Sequence, residues 1–155
     1  MIQGAFTIAS GYTHHADPAT FEVSPTGLAF DDKKDVLYVA STGDNTVFAV
    51  RNAAKLSQSN GEGQPLFSGG HLHGALAMVL APNGHLLISN SDEFNPNPQE
   101  PSAIDEYAVD GQFIGQIFVD PNQGGAFGLN IATSMRTWFA LLPLMITRTR
   151  SRSGL

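Results

Sequence analysis

Four of the five histidines in this 155-residue chain stand in two short polar stretches, one near residue 14 and one near residue 72. The second has the spacing His-x-His, which puts both imidazoles on one side of an extended segment and suits metal coordination. The alternative is that these histidines, and the carboxylates of nearby turns, are ordinary exposed loop residues. The candidate ligand-binding residues are His14, His15, Asp44, His71, His73 and Asp92. A divalent metal is the one cofactor they could hold, and its identity stays open.

Most other catalytic chemistries lack the residues they need. The chain contains no cysteine, so thiol nucleophiles, disulfides and cysteine-based metal sites are excluded. It has no Gly-x-Ser-x-Gly motif. The glycines at 124, 125 and 128 are followed by no helix-forming stretch, so they predict a turn and not a phosphate-binding loop.

Charge is divided unevenly along the chain. Residues 1–133 carry all fourteen acidic residues and a net charge of about −10, whereas the tail carries four arginines and about +4. An acidic body disfavours binding to nucleic acid, which needs clustered Lys and Arg. We expect no membrane span, because the longest apolar run (138–146) is far below ~20 residues. The N-terminus lacks a signal-peptide pattern, and the compartment stays open.

The stretch 25–50 predicts the elements that would position these residues. It consists of three short apolar runs separated by two polar clusters, 31–35 and 41–45. Runs rich in β-branched and aromatic residues, bounded by Gly, Asp, Asn and Ser, are typical of strands joined by hairpins. A fourth run at 64–68 contains Pro65, which suits an edge strand. We therefore predict a four-stranded antiparallel unit.

The same pattern recurs further along the chain. Gly27 aligns with Ala77 and with Gly128, at steps of 50 and 51 residues. Four strands in a period of about 50 residues indicate the blade of a β-propeller. The sequence thus predicts an all-β propeller with two complete four-stranded blades, 25–68 and 75–119. The first strands of a third blade begin at 125, and residues 4–9 form an outer strand. The alternative is one β-sandwich whose internal similarity is accidental.

Strand parity then places the candidate residues. In a four-stranded antiparallel blade, the loop that enters the first strand and the loop between the second and third strands emerge on one side. The entering loops carry the four histidines. The loops between the second and third strands carry Asp44 and the insertion 91–102, which contains Asp92, Glu93 and Glu100. We expect all of them on one rim.

The tail 134–155 is basic and departs from the repeat. Stacked blades leave exposed edges unless a ring closes, and about four or more blades are needed for that. We therefore expect the chain to be a piece of a longer propeller with a divergent end, produced by truncation or a frame-shift. The rival expectation is that two chains pair into a six-bladed ring. Either way, self-association through exposed blade edges is expected.

Two segments carry a family resemblance. Residues 25–30 (PTGLAF) followed by 35–40 (DVLYVA) resemble the NHL repeat, and residues 37–47 (LYVASTGDNTV) are similar to the YVTN-type repeat. The resemblance extends with less detail over 76–119. It implies a β-propeller that serves as a binding scaffold for a protein or small-molecule ligand. Relatives of this repeat type are often exported from the cell.

The broader gluconolactonase-like group contains metal-dependent hydrolases, whose acidic and Asn ligands lie on the inner strands. The matching positions here are Gly27, Ala77 and Gly128, which cannot act as side-chain ligands. We therefore predict a non-catalytic binding or scaffold module. A fragment of a metal-dependent lactonase is the alternative.

Overall fold

The computed structural model describes residues 4–18, 21–90, 97–132 and 140–141. They form twelve strands and one short 3-10 turn, Ala53–Lys55. The strands are β1 (His15–Asp17), β2 (Phe21–Val23), β3 (Pro25–Asp31), β4 (Val36–Ser41), β5 (Thr46–Arg51), β6 (Gln64–Ser68), β7 (Ala75–Leu80), β8 (Leu86–Asn90), β9 (Ala103–Tyr107), β10 (Phe113–Phe118), β11 (Ile131–Ala132) and β12 (Ala140–Leu141). The all-β prediction is confirmed.

Two antiparallel four-stranded sheets make up the body of the protein. The first has the order β3-β4-β5-β6 and the second the order β7-β8-β9-β10, each following the chain. Their strands fall at 25–68 and 75–118, where the sequence predicted two four-stranded units. Within the described residues the sheets do not close into a ring.

A shared apolar core joins the two sheets face to face. In β3, Ala29 is buried while its neighbours Leu28 and Phe30 are exposed, which is the alternation expected of a strand with one covered face. The residues buried between the sheets include Ala29, Tyr38, Ala40, Val47 and Ala49 from the first sheet and Met78, Leu86, Ile88 and Tyr107 from the second. Each fully buried Leu, Ile or Met contributes roughly 2 kcal/mol of hydrophobic stabilisation.

The two sheets approach each other tightly at Gly27, where β3 lies against β7. A Cβ on Gly27 would lie 2.5 Å from the carbonyl oxygen of Leu76 and 3.1 Å from the amide nitrogen of Met78. Only a residue without a side chain allows the two backbones to approach this closely.

The N-terminal segment covers part of the outer face of the first sheet. Ile8, Ala9 and Tyr12 pack against the cluster of Val39, Phe48, Val50 and Ala53, and the Tyr12 ring meets Phe48 edge-on at 5.3 Å. The predicted strand at 4–9 is wrong, because residues 4–14 have no regular secondary structure. Their hydrogen bonds go to an irregular loop and not to a strand: Ser10 N donates to Gly61 O and Asn60 N donates to Ile8 O.

Beyond the second sheet, the described residues give only a fragment of further structure. Residues 125–130, where a strand of a third unit was expected, have no regular secondary structure. The two-residue strands β11 and β12 pair with each other.

Candidate functional site

The loop that leads into the second sheet presents two of the candidate histidines. Leu72 is buried in the core between the sheets and fixes the loop, so that His71 and His73 flank an anchored residue. His73 is buried at 3% exposure, whereas the side chain of His71 is 42% exposed and stacks on the Phe113 ring at 3.9 Å. The loop therefore holds one imidazole inside the protein and leaves the other open to solvent.

Glu100 brings the two imidazoles together. His71 Nδ1 lies 2.6 Å from Glu100 Oε1, and His73 Nε2 lies 3.6 Å from Glu100 Oε2. Asn97 Nδ2 also donates to Glu100 Oε2, at 3.1 Å. This carboxylate therefore ties the end of the 91–102 insertion to the loop entering β7.

A buried polar pair, Asn90 and Asp105, lies next to this cluster. Asn90 Nδ2 donates to His71 O at 2.9 Å, Asn90 Oδ1 accepts from His73 N at 3.2 Å, and Asn90 Nδ2 also donates to Asp105 Oδ2. Asp105 Oδ1 accepts from Gln116 Nε2 at 2.9 Å. Asn90 and Asp105 both have 0% exposure, so each depends on these protein partners in place of water.

Burial raises the pKa of Asp105 to about 7. Desolvation of the charged form outweighs the hydrogen bonds from Gln116 and Asn90, which lower the pKa. His71 also lowers it, and the Glu100 carboxylate raises it. Asp105 can therefore gain or lose a proton near neutral pH, but it is closed to solvent.

Asp44 is held in a different turn, between β4 and β5. It accepts from Ser41 Oγ at 2.6 Å, from Thr13 N at 3.1 Å and from Thr13 Oγ1. Burial raises the pKa of Asp44, but these hydrogen bonds outweigh it and the pKa lies below its usual 3.8. Asp44 therefore acts as a charged clamp that fixes the N-terminal segment to the first sheet.

The remaining candidates are not part of either cluster in the described structure. His14 and His15 are exposed, and His14 lines a shallow surface with Tyr12 and Pro25. Asp92 lies outside the described residues. A backbone hydrogen bond of 3.4 Å from Gly69 N to Asn45 O connects the Asp44 turn to the loop that carries His71.

The described part of the chain contains no preformed metal-binding site. Nowhere in it do three or more His, Asp or Glu side chains converge in an arrangement that could hold a metal ion. The chemistry that the cluster does show is hydrogen bonding and ion pairing on Glu100.

A cleft of about 380 Å³ opens on the outer face of the second sheet, away from the candidate residues. Leu87, Ile104 and Ile117 form its apolar floor, and Ile131 lines it from beyond the sheet. Glu106 supplies a polar edge and pairs with His85, whose Nδ1 lies 2.6 Å from Glu106 Oε1.

Asn90 and Asp105 were not identified from the sequence. The available signal was the position of Asp105 between Ala103 and Tyr107, which places it on the core side of β9 by alternation. Its contact with Asn90 depends on the register in which Asn90 pairs with Ala103, across an insertion whose length hides that register.

The comparisons with known proteins add no assignment: no protein-family model matches the chain, and no curated protein matches it at a significant level. Within the described residues, no helix is long and apolar enough to cross a membrane.

Proposed function

We propose that the two sheets are consecutive blades of an NHL- or YVTN-type β-propeller that serves as a non-catalytic binding scaffold. Its binding surface is the rim formed by the loops around Asp44 and His71. The ligand is a protein or a small molecule that these polar loops recognise.

Two hydroxyl-to-carbonyl contacts carry the proposal, because their acceptors, though not their donors, are spaced like the sequence repeat. Thr26 Oγ1 on β3 donates to Leu76 O of the second sheet at 3.0 Å. Ser89 Oγ on β8 donates to Phe127 O at 2.9 Å, and Phe127 stands 51 residues after Leu76. The two acceptor carbonyls are thus 51 residues apart, which is also the spacing between the repeat positions Ala77 and Gly128. A hydroxyl of each sheet bonds the start of the next unit, as expected of stacked blades.

Exposed apolar side chains on both outer faces agree with this arrangement. Leu28 and Phe30 on the first sheet are 62% and 47% exposed, and Ile117 on the second is 51% exposed. These are the surfaces that a preceding and a following blade would cover, because blades pack face to face.

The inner strand argues against a hydrolase. In the gluconolactonase-like resemblance the metal ligands would stand at the positions of Gly27, Ala77 and Gly128. At Gly27 even a Cβ would meet the Leu76 carbonyl oxygen at 2.5 Å, so a ligating side chain has no room there.

Lactone hydrolysis in the presence of Ca²⁺, Mn²⁺ or Zn²⁺ tests this proposal. We expect rates equal to those of buffer with each metal, for the wild type and for Glu100→Gln. Glu106→Gln is the matched control, because its carboxylate pairs with His85 at the same 2.6 Å distance but lies on the outer face. Metal-dependent hydrolysis that Glu100→Gln abolishes and Glu106→Gln retains would overturn the scaffold proposal.

A further inference from the structure

In the described part of the chain, the last strand of each sheet has one edge without a paired strand. β6 and β10 are the outermost strands, and within the described residues no strand pairs with the outer edge of either. Such an edge offers a row of unpaired N–H and C=O groups, which can pair with another extended chain.

The two edges differ in how well they are protected. β6 contains Pro65, which has no N–H to donate. β10 has the sequence F-I-G-Q-I-F, without proline or charge, and its Ile114, Ile117 and Phe118 are 44%, 51% and 57% exposed. A long, apolar, uncharged edge lacks the usual devices that prevent strand pairing, apart from a bulge between Phe113 and Gly115. β10 is therefore the edge that favours association.

We propose that β10 pairs antiparallel with β10 of a second copy of this chain, so that the two second sheets continue into one. This inference does not depend on the proposed function. In an antiparallel pair, the side chains of two facing residues lie on the same face of the sheet. When the two strands are identical and related by a two-fold axis, this requires that one residue lies opposite the same residue of the partner strand. Centres at Gly115 and Gln116 pair the most residues of this six-residue strand.

Side-chain complementarity selects the register centred on Gln116. There Ile114 faces Phe118 of the partner subunit, and by symmetry this apolar pair occurs twice. The register centred on Gly115 would instead place Ile114 opposite an amide. Cross-strand apolar pairs contribute to sheet stability, whereas facing like charges oppose it. β10 contains no charged residue, so in the Gln116 register no like charges of the strand face each other.

Sedimentation velocity of the whole chain from about 5 to 500 μM tests the association. We expect a reversible monomer–dimer equilibrium in the wild type and at least a tenfold higher dissociation constant in Ile114→Lys. Leu28→Lys is the matched control, since Leu28 is 62% exposed but lies on the face of the first sheet. A monomeric wild type at all concentrations would overturn the proposal. So would equal weakening by both substitutions, which would indicate association through the sheet faces.

Spin labelling tests the register without placing a charge in the strand. The chain has no cysteine, so Gln112→Cys gives a single labelling position on an exposed residue. Allowing for the bulge between Phe113 and Gly115, the two Gln112 positions in the Gln116 register lie about seven strand steps apart, or roughly 24 Å. We expect a distance distribution centred near that value. A dimer without a defined distance at position 112 contradicts edge pairing through β10.

Discussion

At the scale of single residues, Asp105 is an acid held out of contact with water. Its two hydrogen-bond donors, Asn90 and Gln116, do not compensate for the loss of solvent, and its pKa is raised to about 7. Folding therefore raises the pKa from 3.8, so the folded protein binds this proton more tightly than the unfolded chain. The resulting stability is fully present below about pH 3.8 and is lost as the pH rises through 7.

We predict that Asp105→Asn removes most of the pH dependence of stability between pH 5.5 and pH 8. The wild type should lose stability over this interval, at about 1.4 kcal/mol for each pH unit between the two pKa values. Midpoints of urea denaturation at the two pH values measure the effect. Asp110→Asn, on the exposed turn before β10, should behave like the wild type. An equal loss of stability in Asp105→Asn would show that other groups cause the dependence.

The sequence reveals which side chains could do chemistry but not which of them meet. Strand parity is enough to expect His71, His73 and Glu100 on the same rim, and in the structure the three side chains are in contact. It does not distinguish the buried His73 from the half-exposed His71, because that difference depends on how the loop packs against the rest of the protein. Contacts of this kind depend on tertiary packing and not on local pattern.

At the scale of elements, strands with a covered face could be predicted and irregular segments could not. Short apolar runs bounded by the turn residues at 31–35 and 41–45 predicted β3, β4 and β5. Residues 4–9 alternate between larger and smaller side chains, yet they form no strand, because an alternating pattern becomes a strand only beside a partner edge. Gly27 shows the converse, since only the structure explains why this position lacks a side chain.

We predict that Gly27→Ala lowers the free energy of unfolding by about 2–4 kcal/mol. The added methyl group would lie 2.5 Å from Leu76 O, and backbone cannot move aside as a flexible side chain can. Gly115→Ala is the control, because nothing lies within 4 Å of a Cβ built there. Urea denaturation measures both. Comparable stability of the two variants would show that β3 and β7 are not packed as closely as described.

At the scale of the whole molecule, the two sheets form one cooperative unit because they share one core. Tyr107 on β9 of the second sheet stacks on Phe67 on β6 of the first at 4.3 Å, so the sheets touch there as well as at β3 and β7. Neither sheet alone covers its inner face. The repeat in the sequence predicted two similar units, and the structure adds that their contact stabilises both.

Hydrogen exchange, followed by mass spectrometry in the wild type and in Gly27→Ala, tests this stacking most directly. The substitution lies in the first sheet, and the diagnostic peptides cover β4–β5 (36–51) and β8–β9 (86–107). If the sheets are stacked repeats that share one core, exchange should accelerate in both peptides by a similar factor, roughly 30-fold for a loss of about 2 kcal/mol. Faster exchange confined to 36–51, with 86–107 unchanged, would contradict the account.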